Sequence, residues 1–533
     1  MSTLSKKGKR YMALACLLYA MTAATDVVAV YWTAKVLEYA EQGNITGLLW
    51  QSLARLGLLI FSYLLTGAAV IARLAFLSNG ELCMKNGIMQ NILRRPLKSF
   101  RGEEDAFYLN LLTTDVDMYV EGYLDNVPLA VNTVTAMLFS AFMLLRMHPL
   151  LLVSALAVSA LPMLAIKPFA SARQRTKAAY SRSAEDYTNA LKENIEGYET
   201  IRSGNGEEYS KLRYSQASAV RQRAWAKDFF VGQMSFELLM HVAGVAGIVC
   251  TAVGGCLAVK GVMSIGMIFA ALNYFSSISN GFSNATNYIV TIRSTKKVTE
   301  KLQDQRNMPC PEPSGLPMAS GPAVEYDNVT FAFGERKLYE RFTHTFAFGG
   351  CYAIVGESGS GKSTLLKLLL KYFDGYEGTI HLAGQDIRQL SEKEVYAMVG
   401  VVNQSPYLFN ASLYENITLF GGEPGRDSEE YHSLLKELNL TALAQRVGET
   451  PLGDFGDNIS GGERQRINIA RALHRHPRIV FFDEPTTGLD PENVALIDEF
   501  IFNCQDMTRV VITHNWSQEY LSRFDEVIQI GKG

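Results

Sequence analysis

The sequence predicts an all-α domain of six membrane-spanning helices followed by an α/β domain built on a phosphate-binding P-loop. Three observations carry this reading. Hydropathy changes character near residue 320 of the 533, with long apolar runs confined to the first part. Six of those runs approach or reach the roughly 20 residues that cross a bilayer core as helix. The second part holds "GESGSGKST" (356–364), preceded by the apolar run "CYAIV" and followed by "LLKLLLKYF". A chain of this length holds two or three domains, and 48% hydrophobic with 11% aromatic residues excludes a disordered one. The net charge of −3 gives no electrostatic case for a nucleic-acid partner. Seven cysteines, at 16, 83, 250, 256, 310, 351 and 504, show no C-x-x-C or Cys/His spacing. They read as reduced thiols rather than a disulfide framework or zinc site.

The expected transmembrane domain covers residues 1–300. Its spans are "YMALACLLYAMTAATDVVAVYW" (11–32), "LGLLIFSYLLTGAAVIA" (56–72), "VPLAVNTVTAMLFSAFMLL" (127–145), "LLLVSALAVSALPMLAI" (150–166), "LLMHVAGVAGIVCTAVGGCLAV" (238–259) and "IGMIFAALNYFSSISNGF" (265–282). An even number of crossings returns the chain to its starting side. "SKKGKR" before the first span and the Lys/Arg-rich connectors 73–125 and 167–237 place that side in the cytoplasm, because the external loop "EQGNITG" carries no Lys or Arg. The first apolar run is longer than a signal-peptide core and shows no cleavage pattern, so it is expected to stay as the first helix. Both connectors have helical patterns, and their tips, "GEEDAFY" (102–108) and "SGNGEEY" (203–209), are polar turns suited to docking on another domain.

A Pro-rich stretch, 301–322, reads as the linker to a nucleotide-binding domain at 323–533. There the loop Gly356, Glu357, Ser358, Gly359, Ser360, Gly361, Lys362, Ser363, Thr364 fits G-x-x-x-x-G-K-[ST] between strand and helix. Its glycines let N–H groups curl around phosphate oxygens at a helix N-terminus. Lys362 would reach the β/γ-phosphates and Ser363 would offer its hydroxyl to Mg2+. "RIVFFDEP" ends an apolar strand in Asp483 and Glu484. At a sheet edge Asp483 would hold Mg2+ and Glu484 would polarise the attacking water.

With these motifs the chain resembles the ATP-binding cassette family, and the specific match is "ISGGERQR" (459–466), close to the family signature. The resemblance implies ATP and Mg2+ as ligands and a role for each further landmark. "VVNQSPYLFN" supplies the glutamine-loop residue Gln404, counted with Ser363 and Asp483 as a Mg2+ ligand. "TTGLD" supplies the loop aspartate Asp490, and "VVITHN" the switch histidine His514. Phe333 stands where the family stacks a tyrosine on adenine, with Phe331 as runner-up. "TPLGDFG" (450–456) resembles the extra loop of exporter-type members, with Asp454 in place of glutamate. Ile459 and Glu463 depart from the commoner Leu and Gln.

Six spans with one cassette resemble an exporter-type half-transporter. In that family the signature of one cassette, here Ser460, Gly461, Gly462 and Glu463, closes over ATP held by another. The resemblance therefore implies a second half-transporter chain, identical or related. It implies a place in the cytoplasmic membrane, among its lipids, with the N-terminus and ATPase in the cytoplasm. The function it implies is ATP-driven transport of a small or amphipathic molecule, a lipid or a peptide, read first as export. Import of a metal chelate such as a siderophore by the same fold is the alternative, and a membrane-anchored ATPase that regulates a partner or gates a channel is the third reading. Intramembrane charges offer the best guide to cargo, since such groups face a cavity or a partner. Asp26, Arg55 and Arg73 are the candidates, with an Asp26–Arg55 ion pair as the structural alternative. Glu237 and His241, one turn apart, read as an interfacial pair. Tyr63, Met137, Phe139 and Phe275 are aromatic or Met residues available to line a cavity.

Overall fold

The computed structural model describes residues 4–159, 161–308, 321–334, 336–421, 424–453 and 459–531. The chain separates into two compact units. One is Met1–Asn91 with Asp105–Met308; the other is Ile92–Glu104 with Pro309–Gly533.

The first unit is helical. Its long helices are Lys6–Glu41, Ile45–Ile92, Asp105–Met147, Leu161–Glu196, Glu207–Val259 and Ile265–Asn307, and Pro149–Ser159 precedes the fourth of them. Among the described residues, Lys6–Glu41, Ile45–Ile92, Asp105–Met147 and Glu207–Val259 are long and apolar enough to cross a membrane. Pro149–Ser159 is a shorter apolar helix. Ile265–Asn307 includes the sixth apolar run, diluted by Asn273, Ser276, Ser277, Ser279 and Asn280. Glu207–Val259 has 53 residues, about 80 Å of helix at 1.5 Å per residue, far more than the hydrocarbon core needs. The last helix runs to Asn307, into the stretch read as linker.

Two of the long helices start at a serine cap. Ser5 accepts from the Gly8 N–H at 3.0 Å, and Ser264 accepts from the Met267 N–H at 3.3 Å. Small residues and aromatics share the buried seam: Val27, Ala34, Leu144, Ala155, Ala270, Ala271, Tyr274 and Phe275 form one cluster. The Tyr274 hydroxyl donates to the Val27 carbonyl at 3.1 Å, so its polar end is satisfied inside this core.

The second unit stacks two sheets. A four-stranded antiparallel sheet has the order β2-β1-β4-β5, with β1 Val324–Phe333, β2 Arg336–Phe346, β4 Glu377–Leu382 and β5 Gln385–Asp386. A five-stranded parallel sheet has the order β6-β7-β8-β3-β9, with β3 Cys351–Gly356, β6 Val399–Val402, β7 Ile479–Asp483, β8 Thr508–Thr513 and β9 Glu526–Ile530. Strand β3 is buried throughout, and its side chains alternate between two cores. Tyr352 and Ile354 pack with Phe346, Leu365 and Phe481; Cys351, Ala353 and Val355 pack with Phe482, Ile467 and Ile497.

Register then fixes the edge. Val402 pairs with Phe482, Asp483 with Ile512 and Val355 with Thr513. The carboxyl ends of β6, β7, β8 and β3 therefore lie in a row. In open α/β sheets the crevice outside those ends is where ligands bind.

The tip of the first connector belongs to this second unit. Its short helix Leu97–Arg101 docks before the expected 102–108 segment. The Leu97 N–H donates to Glu392 Oε1 at 2.8 Å, Lys98 pairs with Asp374 at 2.5 Å, and the Arg101 guanidinium lies 4.7 Å from the Tyr372 ring centroid. The second tip turns at Gly204–Gly206 in the first unit, with Tyr198 and Tyr209 exposed beside it.

Candidate nucleotide site

The loop between Gly356 and Lys362 turns through two left-handed glycines, Gly359 at φ +78° and Gly361 at φ +103°. An L side chain rarely adopts either backbone, so glycine is required at both. The helix Lys362–Leu369 begins at once, and its first N–H groups lack intrahelical carbonyl partners. Lys362 folds back over the loop, donating to the Gly356 and Glu357 carbonyls at 3.0 and 2.9 Å. Burial lowers its ammonium pKa, against the nearby Glu484 and Asp483 charges. The Ser360 hydroxyl is buried against the end of β3 without a hydrogen-bond partner.

Ser363 Oγ donates to Asp483 Oδ1 at 2.8 Å. Burial raises the Asp483 carboxyl, and the Ser363 hydrogen bond works against it. The next residue, Glu484, takes φ +50° as the chain leaves β7, and its N–H donates to the Ile512 carbonyl at 3.0 Å. Its carboxylate accepts Gln404 Nε2 at 2.7 Å and Thr487 Oγ1 at 3.3 Å, with His514 Nε2 at 2.8 Å. Residues 363, 404, 484 and 514 thus meet at one sheet edge. Of the expected Mg2+ ligands, Ser363 and Asp483 are bonded to each other, and the Gln404 amide N–H donates to Glu484.

The two candidate aromatics differ in exposure. Phe331 is 6% exposed and belongs to the core, whereas Phe333 is 46% exposed. Phe373 braces both, with centroids at 5.6 and 5.0 Å.

The signature residues form a second cluster. Ser460 caps the helix Gly461–Leu473 in a capping box: its hydroxyl accepts from the Glu463 N–H at 3.2 Å, and Glu463 Oε2 accepts from the Ser460 N–H at 2.9 Å. Asp490 caps Pro491–Asn503, accepting from the Asn493 backbone at 3.1 Å and side chain at 2.6 Å, and Asn493 also bonds Arg466. Among the described residues the Ser460 and Glu463 side chains bond each other and Arg446, and none of these bonds reaches the phosphate loop. Asp454 lies outside the described residues.

Three contributors are not singled out in the sequence, although Thr487 lies within "TTGLD". The Tyr339 hydroxyl from β2 donates to the Gly361 carbonyl, Arg336 donates to the Gly359 carbonyl at 3.0 Å, and Thr487 supports Glu484. Tyr339 offered a signal, a polar aromatic on an inward position of a strand. The other two sit in loops or at edges where charge and hydroxyls are common.

In the membrane half the expected Asp26–Arg55 pair does not form. Asp26 accepts from Ser62 at 2.6 Å, and Arg55 donates to Thr33 at 3.1 Å. Asp26 and Thr33 are two helical turns apart, so the two acidic and basic groups occupy successive rungs rather than one. Arg73 is engaged by Asp125 through two bonds of 2.6 Å and by Tyr19 at 3.4 Å. His241 bonds the Glu237 backbone carbonyl at 2.8 Å, while the Glu237 carboxylate accepts from Gln233. Phe275 is core, whereas Tyr63 and Phe139 are exposed.

A phosphate loop, a carboxylate pair and a capped glycine helix, on a chain that begins with membrane helices, define a membrane protein with its own P-loop nucleotide domain. Family profiles agree over both parts: "ABC transporter transmembrane region" matches residues 12–282, and "ABC transporter" matches residues 339–487. The chain belongs to the ABC transporter family and is a multi-pass membrane protein with an ATP-binding domain. It is similar to the mycobactin import ATP-binding/permease protein IrtB of Mycolicibacterium smegmatis, 30% identical over 290 residues, 53% of this chain and 50% of that one. It is similar to the mitochondrial iron-sulfur clusters transporter atm1 of Aspergillus fumigatus, 28% identical over 400 residues, 71% of this chain and 54% of that one. The match spans about half the length of these curated relatives. The fold matches the structure of a bacterial Atm1-family ABC exporter with ATP bound, at a TM-score of 0.81 and 20% identity, covering 98% of this chain and 93% of that one.

Proposed function

We propose that this chain is one half of an ATP-driven transporter, working with a second half-transporter chain, identical or related, in the cytoplasmic membrane. One observation carries the reading: among the described residues the Ser460 and Glu463 side chains bond each other and Arg446, and none of these bonds reaches the phosphate loop. A signature that presents Ser460 and the Gly461 and Gly462 N–H groups needs a phosphate from another cassette. Two chains set head to tail supply it twice.

The residues present fit a triphosphate with Mg2+: among the described residues, a buried Ser360 hydroxyl without a hydrogen-bond partner, a lysine donating to loop carbonyls, and Ser363 already beside Asp483. Bound there, Mg2+ neutralises phosphate charge and polarises the γ-phosphoryl group. Lys362 exchanges its carbonyl partners for phosphate oxygens. Glu484, released by Gln404, orients and polarises water; His514 contacts the γ-phosphate; Phe333 offers its exposed ring to adenine; Asp490 holds its helix N-terminus toward the partner. The exposed Tyr198 tip would meet the partner.

Asp26 and Arg55 remain candidates to face the transported molecule, because among the described residues each is bonded by a neutral hydroxyl. Export of a small or amphipathic molecule, a lipid or a peptide is the leading direction. Import of a metal chelate is the second reading, supported by the similarity to a mycobactin importer.

In proteoliposomes Glu484→Gln should reduce steady hydrolysis by about 10²- to 10⁴-fold and leave ATP binding in place. Undiminished hydrolysis would remove Glu484 from the role. Inside-out vesicles that accumulate cargo with ATP support export, and depletion supports import.

A further inference from the structure

The signature helix carries a charge at an awkward place. Glu463 is its third residue, in the same first turn as the Gly461 and Gly462 N–H groups that would face a phosphate. A helix N-terminus favours anions, but a carboxylate already bonded there repels a second one. Burial raises the Glu463 carboxyl, yet the Ser460 N–H, Arg446 and the Ser460 hydroxyl outweigh it and hold it below the usual carboxylate range. Glu463 is therefore an anion at neutral pH, in a position where the family signature more often has a neutral glutamine.

The compensating charge comes from the preceding helix, Thr441–Val447. Arg446 places one guanidinium nitrogen 3.0 Å from Glu463 Oε1 and 3.1 Å from Oε2, spanning both oxygens. The carboxylate is mostly buried and the arginine more than half exposed. Glu463 Oε2 is meanwhile fixed by the Ser460 N–H and hydroxyl, so the carboxylate has little freedom to move away from the phosphate path.

We propose that Arg446 is a positioning residue for nucleotide closure: it neutralises and anchors Glu463 so that Ser460, Gly461 and Gly462 receive the partner's γ-phosphate without an unpaired like charge beside them. This rests on the reading of the signature as acting on ATP held by a second chain. Arg446 touches no reacting atom in this scheme. It acts through Glu463, and the chain's departure from glutamine at 463 is tolerated because Arg446 is present.

The test is a double-mutant cycle on the full-length chain in proteoliposomes, reading the ATP dependence of hydrolysis and the thermal midpoint together. Arg446→Gln should raise the KM for ATP roughly fivefold, with the loss shrinking at high salt, and act on KM more than on kcat. Glu463→Gln should lower KM by a similar factor, and Arg446→Gln with Glu463→Gln should return close to wild type. Arg446→Lys should retain most of the effect of arginine, although a single ammonium spans two oxygens less well. An ion pair that only ties two helices together predicts otherwise: both single variants would lower the thermal midpoint and the double variant would recover no ATP affinity. That pattern, or an unchanged KM in Arg446→Gln, overturns the proposal. If wild type itself shows no ATP-dependent hydrolysis while remaining folded, the functional reading fails, and this inference with it.

Discussion

The two halves of this chain position polar groups by different means. In the nucleotide unit, residues far apart in sequence meet because four parallel strands end at one edge, and strand register leaves little choice about where Ser363, Gln404, Glu484 and His514 arrive. In the membrane unit, polar side chains find neighbours across one helix seam. Tyr19, Asp26 and Thr33, seven residues apart on the first helix, bond Arg73, Ser62 and Arg55 on the second. A heptad spacing repeats close to one helix face, so these contacts form a ladder of rungs. The sheet edge gathers groups into a site, whereas the ladder distributes them along a seam.

The sharpest way to break the first arrangement is to undo the strand beneath it. Phe481 is fully buried in β7, two residues before Asp483, in the core that joins the two sheets. Phe481→Ala should cost about 3–5 kcal/mol of stability in the nucleotide unit. ATP binding should fall with it, because Asp483 and Glu484 are aimed by that strand. A variant with an unchanged unfolding midpoint would show that the sheet does not set the edge.

Lys362→Ala spares the scaffold and removes one member of the edge. The loop glycines keep their turns, so folding should survive, while hydrolysis should fall about 10²- to 10³-fold, the scale of a lost charge-stabilising donor. Activity near wild type would mean that the Gly356 and Glu357 carbonyls, rather than phosphate, are this lysine's true partners.

The ladder is probed at Arg73. Arg73 and Asp125 are each about three-quarters buried. Arg73→Met strands Asp125 among apolar helices and should cost about 2 kcal/mol, read as a lower denaturant midpoint in detergent. Adding Asp125→Leu should recover most of that loss, since an apolar pair of similar size fills the space. A destabilised double variant would place Arg73 in a role beyond this pair.

The same contrast explains what the sequence made readable. The phosphate loop, the carboxylates after an apolar strand and the signature are short local patterns whose geometry follows from one strand–loop–helix step, and each lies where such a step places it. Six apolar runs announced the helical domain. Partner choice was another matter. Nothing in the spacing of Asp26 and Arg55 shows that they sit on successive rungs, because the offset between antiparallel helices is set by the turn at residues 42–44 and by packing. Arg73 could not be assigned to Asp125 from sequence, since 52 residues and a connector separate them. Gln404 was placed by its motif, but its bond to Glu484 depends on how two loops meet beyond the sheet. Arg446 carries no motif and acquires a role only beside Glu463.

The smallest expected effect concerns protons and falls on the nucleotide unit. Burial lowers the pKa of His344, with Glu526 opposing it, and of His474, whose ring nitrogen also meets the Arg471 carbonyl at 2.7 Å. Unfolded histidines titrate near 6.5, so below that pH the unfolded chain binds protons that the folded unit refuses. Stability contributed by these two neutral rings is complete above the unfolded value and is lost as pH falls below it. Asp483 and Glu392, raised by burial, act in the opposite direction, because their folded forms retain protons that the unfolded chain has released. Their effect spans the interval from the unfolded carboxylate range near pH 4 up to their raised folded values, whereas the loss from the two histidines begins as pH falls toward about 6.5. The thermal midpoint of the nucleotide unit should therefore drop from pH 7 to 6, and the drop should flatten in a His344→Phe, His474→Leu double variant. A midpoint that stays level from pH 7 to 6 in the wild-type chain, or an equal drop in the double variant, would exclude these rings as its cause.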